Sequence, residues 1–155
     1  RCTDCDDCVK ACAVTHGGGP RFTREGHRHA ELMVATACMH CADPVCLVGC
    51  PTGAIHREAN TGNVIITTNE CIGCGTCVES CPYNNIRSVE IHDAAGNPII
   101  NLETGKPALK ATKCDLCIDQ PSGPACANAC PHDALHRVDF SDISKVTRVI
   151  EKITG

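Results

Sequence analysis

Apolar positions in this 155-residue chain come in short bursts rather than long periodic runs. In "AIHREANTGNVIIT" they flank Thr61-Gly62-Asn63, which predicts an antiparallel hairpin pairing Ala54 to His56 with Val64 to Thr67. "VEIHDAAGNPIINLETGKPALKA" offers the same grammar twice, with Gly96-Asn97 and Thr104-Gly105 as turns, and predicts a small β-element lying over whatever its neighbours bind. Near the end, Ile143, Val146, Val149, Ile150 and Ile153 recur at helical spacing behind Ser141, a candidate N-cap. The single apolar face of that helix is expected to pack on this chain, a partner surface being the alternative. Gly17-Gly18-Gly19-Pro20 lacks the lysine and hydroxyl residue of a phosphate loop and reads as a flexible connector.

These bursts are too small to make a core by themselves. Phe22, Phe140 and Tyr83 are the only aromatic residues and there is no tryptophan. Small modules with thin cores need staples or metals. The 16 cysteines meet that need, and they fall into four quartets with none left over: Cys2, Cys5, Cys8, Cys12; Cys38, Cys41, Cys46, Cys50; Cys71, Cys74, Cys77, Cys81; Cys114, Cys117, Cys126, Cys130. The material bound by these thiols is expected to be the core.

Three chemistries use cysteines at such density. Disulfides suit the spacing poorly, because thiols two residues apart in tight loops pair badly with distant partners, and no secretory signal is visible. Structural zinc joins two C-x2-C knuckles across a dozen or more residues, whereas the first and third quartets read C-x2-C-x2-C-x3-C without a gap. That run, closed by Pro82 in "CIGCGTCVESCP", is the bacterial ferredoxin pattern for iron–sulfur clusters. Three thiols on one loop can hold three corners of a cubane, while the fourth turns toward a neighbouring cluster. Gly73 and Gly75 allow the backbone to close on the cluster through positive φ, and Pro51, Pro82 and Pro131 redirect the chain after a final cysteine.

On "CTDCDDCVKAC", "CMHCADPVCLVGCP", "CIGCGTCVESCP" and "KCDLCIDQPSGPACANACP" the chain resembles the four-cluster, ferredoxin-like electron-transfer subunits of the molybdopterin oxidoreductases, of the dimethyl-sulfoxide reductase type. The resemblance covers almost the whole length and implies an α+β, ferredoxin-like fold: two nested bacterial-type modules of two 4Fe-4S clusters each, with small β-hairpins and short helices. Residues 1–35 and 109–155 would form the outer module from motifs one and four. Residues 36–92 would form the inner module from motifs two and three, and residues 93–108 a β-hairpin insert. The family's exchange of fourth ligands implies four sets: Cys2, Cys5, Cys8 with Cys130; Cys114, Cys117, Cys126 with Cys12; Cys38, Cys41, Cys46 with Cys81; and Cys71, Cys74, Cys77 with Cys50. The interval from Cys12 to Cys38 is short for the family, and Ala13 stands where a proline is usual. Because the chain opens on Arg1, it is expected to be a segment of a longer polypeptide. "DDCVKACAVTHGGGPRFTREG" is also similar to iron–sulfur modules fused behind cyclic-nucleotide-binding domains, which keeps a sensory or regulatory reading open beside a zinc-stapled interaction module.

Charge then narrows the function. Each oxidised 4Fe-4S core of +2 held by four thiolates contributes −2, so four clusters take the chain's −4 to about −12. So acidic a protein is unsuited to nucleic acid. No apolar span is long enough for a membrane, and no nucleophile–base set or dinucleotide fingerprint is present. With all thiols consumed by four 4Fe-4S clusters, the expected function is not catalysis. It is the relay of single electrons between a catalytic oxidoreductase subunit, of molybdopterin type by the resemblance, and a second redox partner, in the cytoplasm by default. Asp4, Asp6 and Asp7 around the first thiols predict one of the lower potentials for that cluster. Arg21, Arg24, His27, Arg28 and His29 form a basic loop, read either as solvated or as a dock for an acidic partner. His40, beside thiols that already number four, is expected to bond a sulfur or face water.

Overall fold

The computed structural model describes residues 1–139 and 142–155. The elements run α1 (Asp7–Thr15), β1 (Arg28–His29), β2 (Leu32–Met33), α2 (Val45–Val48), β3 (Ile55–Arg57), β4 (Val64–Ile66), α3 (Thr76–Ser80), β5 (Arg87–Glu90), β6 (Leu109–Thr112), α4 (Ala125–Asn128) and α5 (Ile143–Thr154). Short helices and two-stranded antiparallel pairs are consistent with a ferredoxin-like fold. The chain forms two compact units, residues 37–115 and residues 1–36 together with 116–155.

In the continuous unit, β3 and β4 pair in the register Ile55↔Ile66, His56↔Ile65 and Arg57↔Val64, so the expected hairpin forms. The Glu58 carboxylate accepts from the amides of Asn60 and Thr61 at 3.0 and 2.7 Å and shapes the turn. Gly62, at φ 72°, closes it. Arg57 donates to the carbonyls of Gly62, Cys41 and Ala42, which fastens the hairpin to the second-quartet loop.

The later β-element contains the two expected reversals, each closed by an antiparallel bridge, His92↔Pro98 and Ile100↔Pro107, and extends beyond them. Both turns form, one around Asp93, which accepts from Ala95 and Asn97, the other around Asn101, which accepts from Glu103. The strands proper are the flanks, β5 and β6, paired from Arg87↔Thr112 to Glu90↔Leu109. Turn residues decide local reversals. Burial of Ala111 and Ile86 in one core decides which distant segments meet.

That core is small. Among the described residues Val64 is the only large side chain with under 2 % exposure, and it joins Ile55, Ile86, Ala111 and Cys77. Cys46, Cys50, Cys71 and Cys81 pack against them, so cysteines form much of the core's wall. Gly73, at φ 72°, lies so close to β6 that a Cβ there would collide with the Leu109 carbonyl. Gly73→Ala combines this collision with left-handed strain, and we expect a loss of about 1–3 kcal/mol. Thermal melting of the cluster-loaded protein checks this; an unchanged Tm would mean that β6 yields freely.

In the other unit α1 packs on α4, and Cys12, Phe22 and Cys117 are buried among the described residues. β1 pairs with β2 through Arg28↔Met33 and His29↔Leu32. The expected cap Ser141 and the aromatic Phe140 lie outside the described residues. Asp142 caps α5 instead, accepting from the Lys145 amide. Bonds from the Ser144 hydroxyl and Lys145 hold its carboxyl down at about 2. The apolar face of α5 is packed in part: Val146 and Val149 are half-buried, while Ile143 is 77 % and Ile150 43 % exposed. Periodicity shows that a helix has an apolar face but not whether the fold brings anything to cover it.

Candidate metal centres

All sixteen cysteines are free thiols. In the continuous unit they converge on two pockets. Cys38, Cys41, Cys46 and Cys81 line one, of about 300 Å³ of empty space open to solvent, together with Val64, Ile86 and Lys113. Cys50, Cys71, Cys74 and Cys77 line the other, of about 400 Å³, with Ile55, Ile66 and Ala111. Each pocket thus takes three thiols from one quartet and the last thiol of the other. In the second unit Cys8 lies within electrostatic reach of Cys2 and Cys130. The packing of α1 on α4 sets the helix carrying Cys8 and Cys12 against the one carrying Cys126. Cys117 Sγ lies 3.6 Å from His16 Nε2, Cys5 is exposed, and the continuous unit ends just after Cys114.

The four loops share a backbone feature that their sequences hide. The residue just before the second cysteine of each quartet has positive φ: Asp4 at 59°, His40 at 45°, Gly73 at 72° and Leu116 at 62°. A left-handed residue after ordinary backbone turns successive amides into one concavity, a nest for an anion. Glycine adopts this conformation freely, whereas each of the other three costs on the order of 1–2 kcal/mol. Strain repeated at equivalent places marks a site held for its ligand. Amides also donate to sulfur: His40 to Cys38, Asn85 to Cys81, Ala111 to Cys71, Ala134 to Cys130 and Arg21 to Cys12, at 3.2–3.5 Å.

An amide donor to sulfur favours the thiolate, the form that binds metal. Burial pushes the Cys50 thiol up, but the amides of Ile55, Thr52 and Ala54 and the Thr52 hydroxyl outweigh it and bring it down. The Ala134 amide lowers Cys130, and the Thr76 hydroxyl and amide lower Cys74. Burial raises Cys8, Cys46 and Cys77, with Lys113 opposing it at Cys46. Quartets of such thiols in pockets with inward amides fit an anionic iron–sulfur cluster.

Two expectations about charge need correction. Arg24, only 15 % exposed, bonds Asp6 at 2.7 Å and Asp4 at 2.6 Å, and Lys10 bonds Asp7 at 3.2 Å. Two cations thus offset two of the three negative charges around the first thiols, which weakens the argument for a low potential there. Arg24 is a clamp on two left-handed residues of the first loop, not part of a free basic surface. Sequence spacing gave no signal for this, because the partners lie 18 and 20 residues away. We expect Arg24→Gln to leave a full cluster complement but to release about four of sixteen irons to a chelator sooner than the rest. Uniform release kinetics would refute the clamp. As for His40, it bonds a sulfur through its amide, which donates to Cys38 at 3.4 Å, while its ring Nδ1 accepts from the Val64 amide at 3.0 Å and pins β4 to the second loop.

Comparison with known proteins identifies the cluster type. Residues 29–101 and 70–134 each match a model described as a 4Fe-4S dicluster domain. The electron transport protein HydN of Escherichia coli K12 is 34 % identical over 157 residues, covering 95 % of this chain and 88 % of HydN. Formate hydrogenlyase subunit 2 of the same strain is 31 % identical over 174 residues, 99 % of this chain and 85 % of that subunit. AegA of the same strain is 34 % identical over 146 residues, 89 % of this chain, and there the match spans only 20 % of a much longer protein. These matches decide iron–sulfur over zinc, and with sixteen cysteines in quartets they give a complement of four 4Fe-4S clusters. No helix among the described residues is long and apolar enough to cross a membrane. The chain belongs to the 4Fe-4S dicluster family, with electron-transport proteins among its full-length relatives.

Proposed function

We propose that the chain relays single electrons along its four clusters, between a catalytic oxidoreductase partner of molybdopterin type and a second redox protein, and that it has no catalytic site of its own. The observation that carries this reading is the shared pocket, in which thiols of two different quartets converge. Bound there, a 4Fe-4S cluster supplies reversible one-electron chemistry. The ligand sets are Cys38, Cys41, Cys46 with Cys81; Cys71, Cys74, Cys77 with Cys50; Cys2, Cys5, Cys8 with Cys130; and Cys114, Cys117, Cys126 with Cys12. Because all sixteen thiols are consumed, no coordination position is left for a substrate. The amide donors and left-handed loops hold the thiolates in place, which limits rearrangement when charge changes. A relative named as a subunit of formate hydrogenlyase supports a catalytic partner. Cluster loading suits a reducing cytoplasm.

Iron, zinc and acid-labile sulfide per chain, with visible spectra before and after dithionite, test the reading. About 16 irons, 16 sulfides and reversible bleaching near 400 nm are expected. About four zincs without sulfide or colour would overturn it.

A further inference from the structure

Lys113 is a charged residue in an apolar place. It follows β6 directly, is only 3 % exposed, and lines the pocket of Cys38, Cys41, Cys46 and Cys81. Its ammonium donates to the Val64 carbonyl and to the Cys114 carbonyl at 3.3 Å. Neither acceptor carries a charge, and among the described residues no carboxylate pairs with it. A buried ammonium without a counter-charge is unfavourable, so its partner is expected to be anionic and within the same pocket. The thiols there are the candidates, and Lys113 acts electrostatically on Cys46.

We propose that Lys113 raises the reduction potential of the cluster held by Cys38, Cys41, Cys46 and Cys81, making that position the preferred resting place for an electron in residues 37–115. This rests on the cluster reading above. The redox step is the uptake of one electron from a low-potential one-electron donor. It takes the four-thiolate site from −2 to −3, with no bond formed or broken and no proton moved. A fixed positive charge at short range favours the more negative state, and low local dielectric strengthens the effect. Lys110 provides an internal contrast: it donates to the Cys71 carbonyl beside the other pocket but is half-buried, so water screens it. Lys113 is thus a positioning residue for the electron and not a ligand.

The test is potentiometric EPR on the full, cluster-loaded chain, with iron and sulfide counted for every sample. Lys113→Met removes charge and donor, Lys113→Gln removes the charge but keeps a donor for the Val64 carbonyl, and Lys113→Arg keeps the charge. One signal should fall in both neutral variants by at least tenfold in electron affinity, which is 59 mV for a one-electron couple. It should stay near its original potential in Lys113→Arg, and the other signals should hold. Four unmoved signals would overturn the proposal. So would equal shifts in all three variants, or loss of about four irons from both neutral variants, because these mark Lys113 as a structural pin or an assembly residue. Failure of the underlying reading looks different, since the unaltered chain would then lack iron and sulfide.

Discussion

Removing the iron will unfold this chain. Protein stripped anaerobically of metal and sulfide should lose its cooperative melting transition and its dispersed amide resonances, and regain both only when iron and sulfide are supplied together. The reason is the size of the core. Among the described residues Val64 alone of the large side chains is fully buried, and Val14, Val48, Ile72 and Leu102 are 83, 77, 64 and 97 % exposed. The positive-φ loops at Asp4, His40 and Leu116 oppose folding until a ligand rewards the amides they orient. Two-stranded hairpins such as β3–β4 are marginal alone. In such a protein the free energy of metal binding is the free energy of folding. An apo-chain that melted cooperatively, with protected amides in β3 and β4, would show instead that Ile55, Val64, Ile86 and Ala111 suffice.

The second large effect concerns ligands that cross between quartets. Cys81 belongs by sequence to the motif of Cys71, Cys74 and Cys77, yet it lines the pocket of Cys38, Cys41 and Cys46. Cys81→Ala and Cys46→Ala should therefore disable the same cluster. Each single variant, and the double variant, should hold about 12 irons, whereas Cys81→Ala with Cys74→Ala should hold about 8. The mirror pair behaves likewise, with Cys50→Ala non-additive to Cys77→Ala. The opposite pattern of additivity would return each fourth cysteine to its own motif and remove the main support for the proposed ligand sets. Alanine is preferable to serine here because it leaves no oxygen to replace the thiolate.

Much of this site could be read before any coordinates. The quartets, their spacing and the closing prolines name the chemistry because a cubane needs several thiols on one short loop, and that requirement is local. The β3–β4 hairpin is equally local: its turn residues and β-branched flanks are adjacent in the chain. Gly73 and Gly75 announced left-handed backbone because glycine is the residue that adopts it freely. The same conformation at Asp4, His40 and Leu116 was not legible, since those side chains give no hint that surrounding contacts hold them there.

What the amino-acid order determined by itself, then, is composition and short-range geometry: four thiol quartets, a chain too poor in large apolar residues to fold on burial alone, and hairpin turns at fixed places. Tertiary structure decided whatever depends on residues far apart. It brought Cys81 to Cys38 and Cys50 to Cys71, paired β5 with β6 across two intervening turns, set Arg24 on Asp4 and Asp6, and buried Lys113 beside Val64. It also left Ile143 and Ile150 of α5 exposed. Charge pairing and burial are properties of neighbours in space, and spacing along the chain constrains those neighbours only within a turn or a loop.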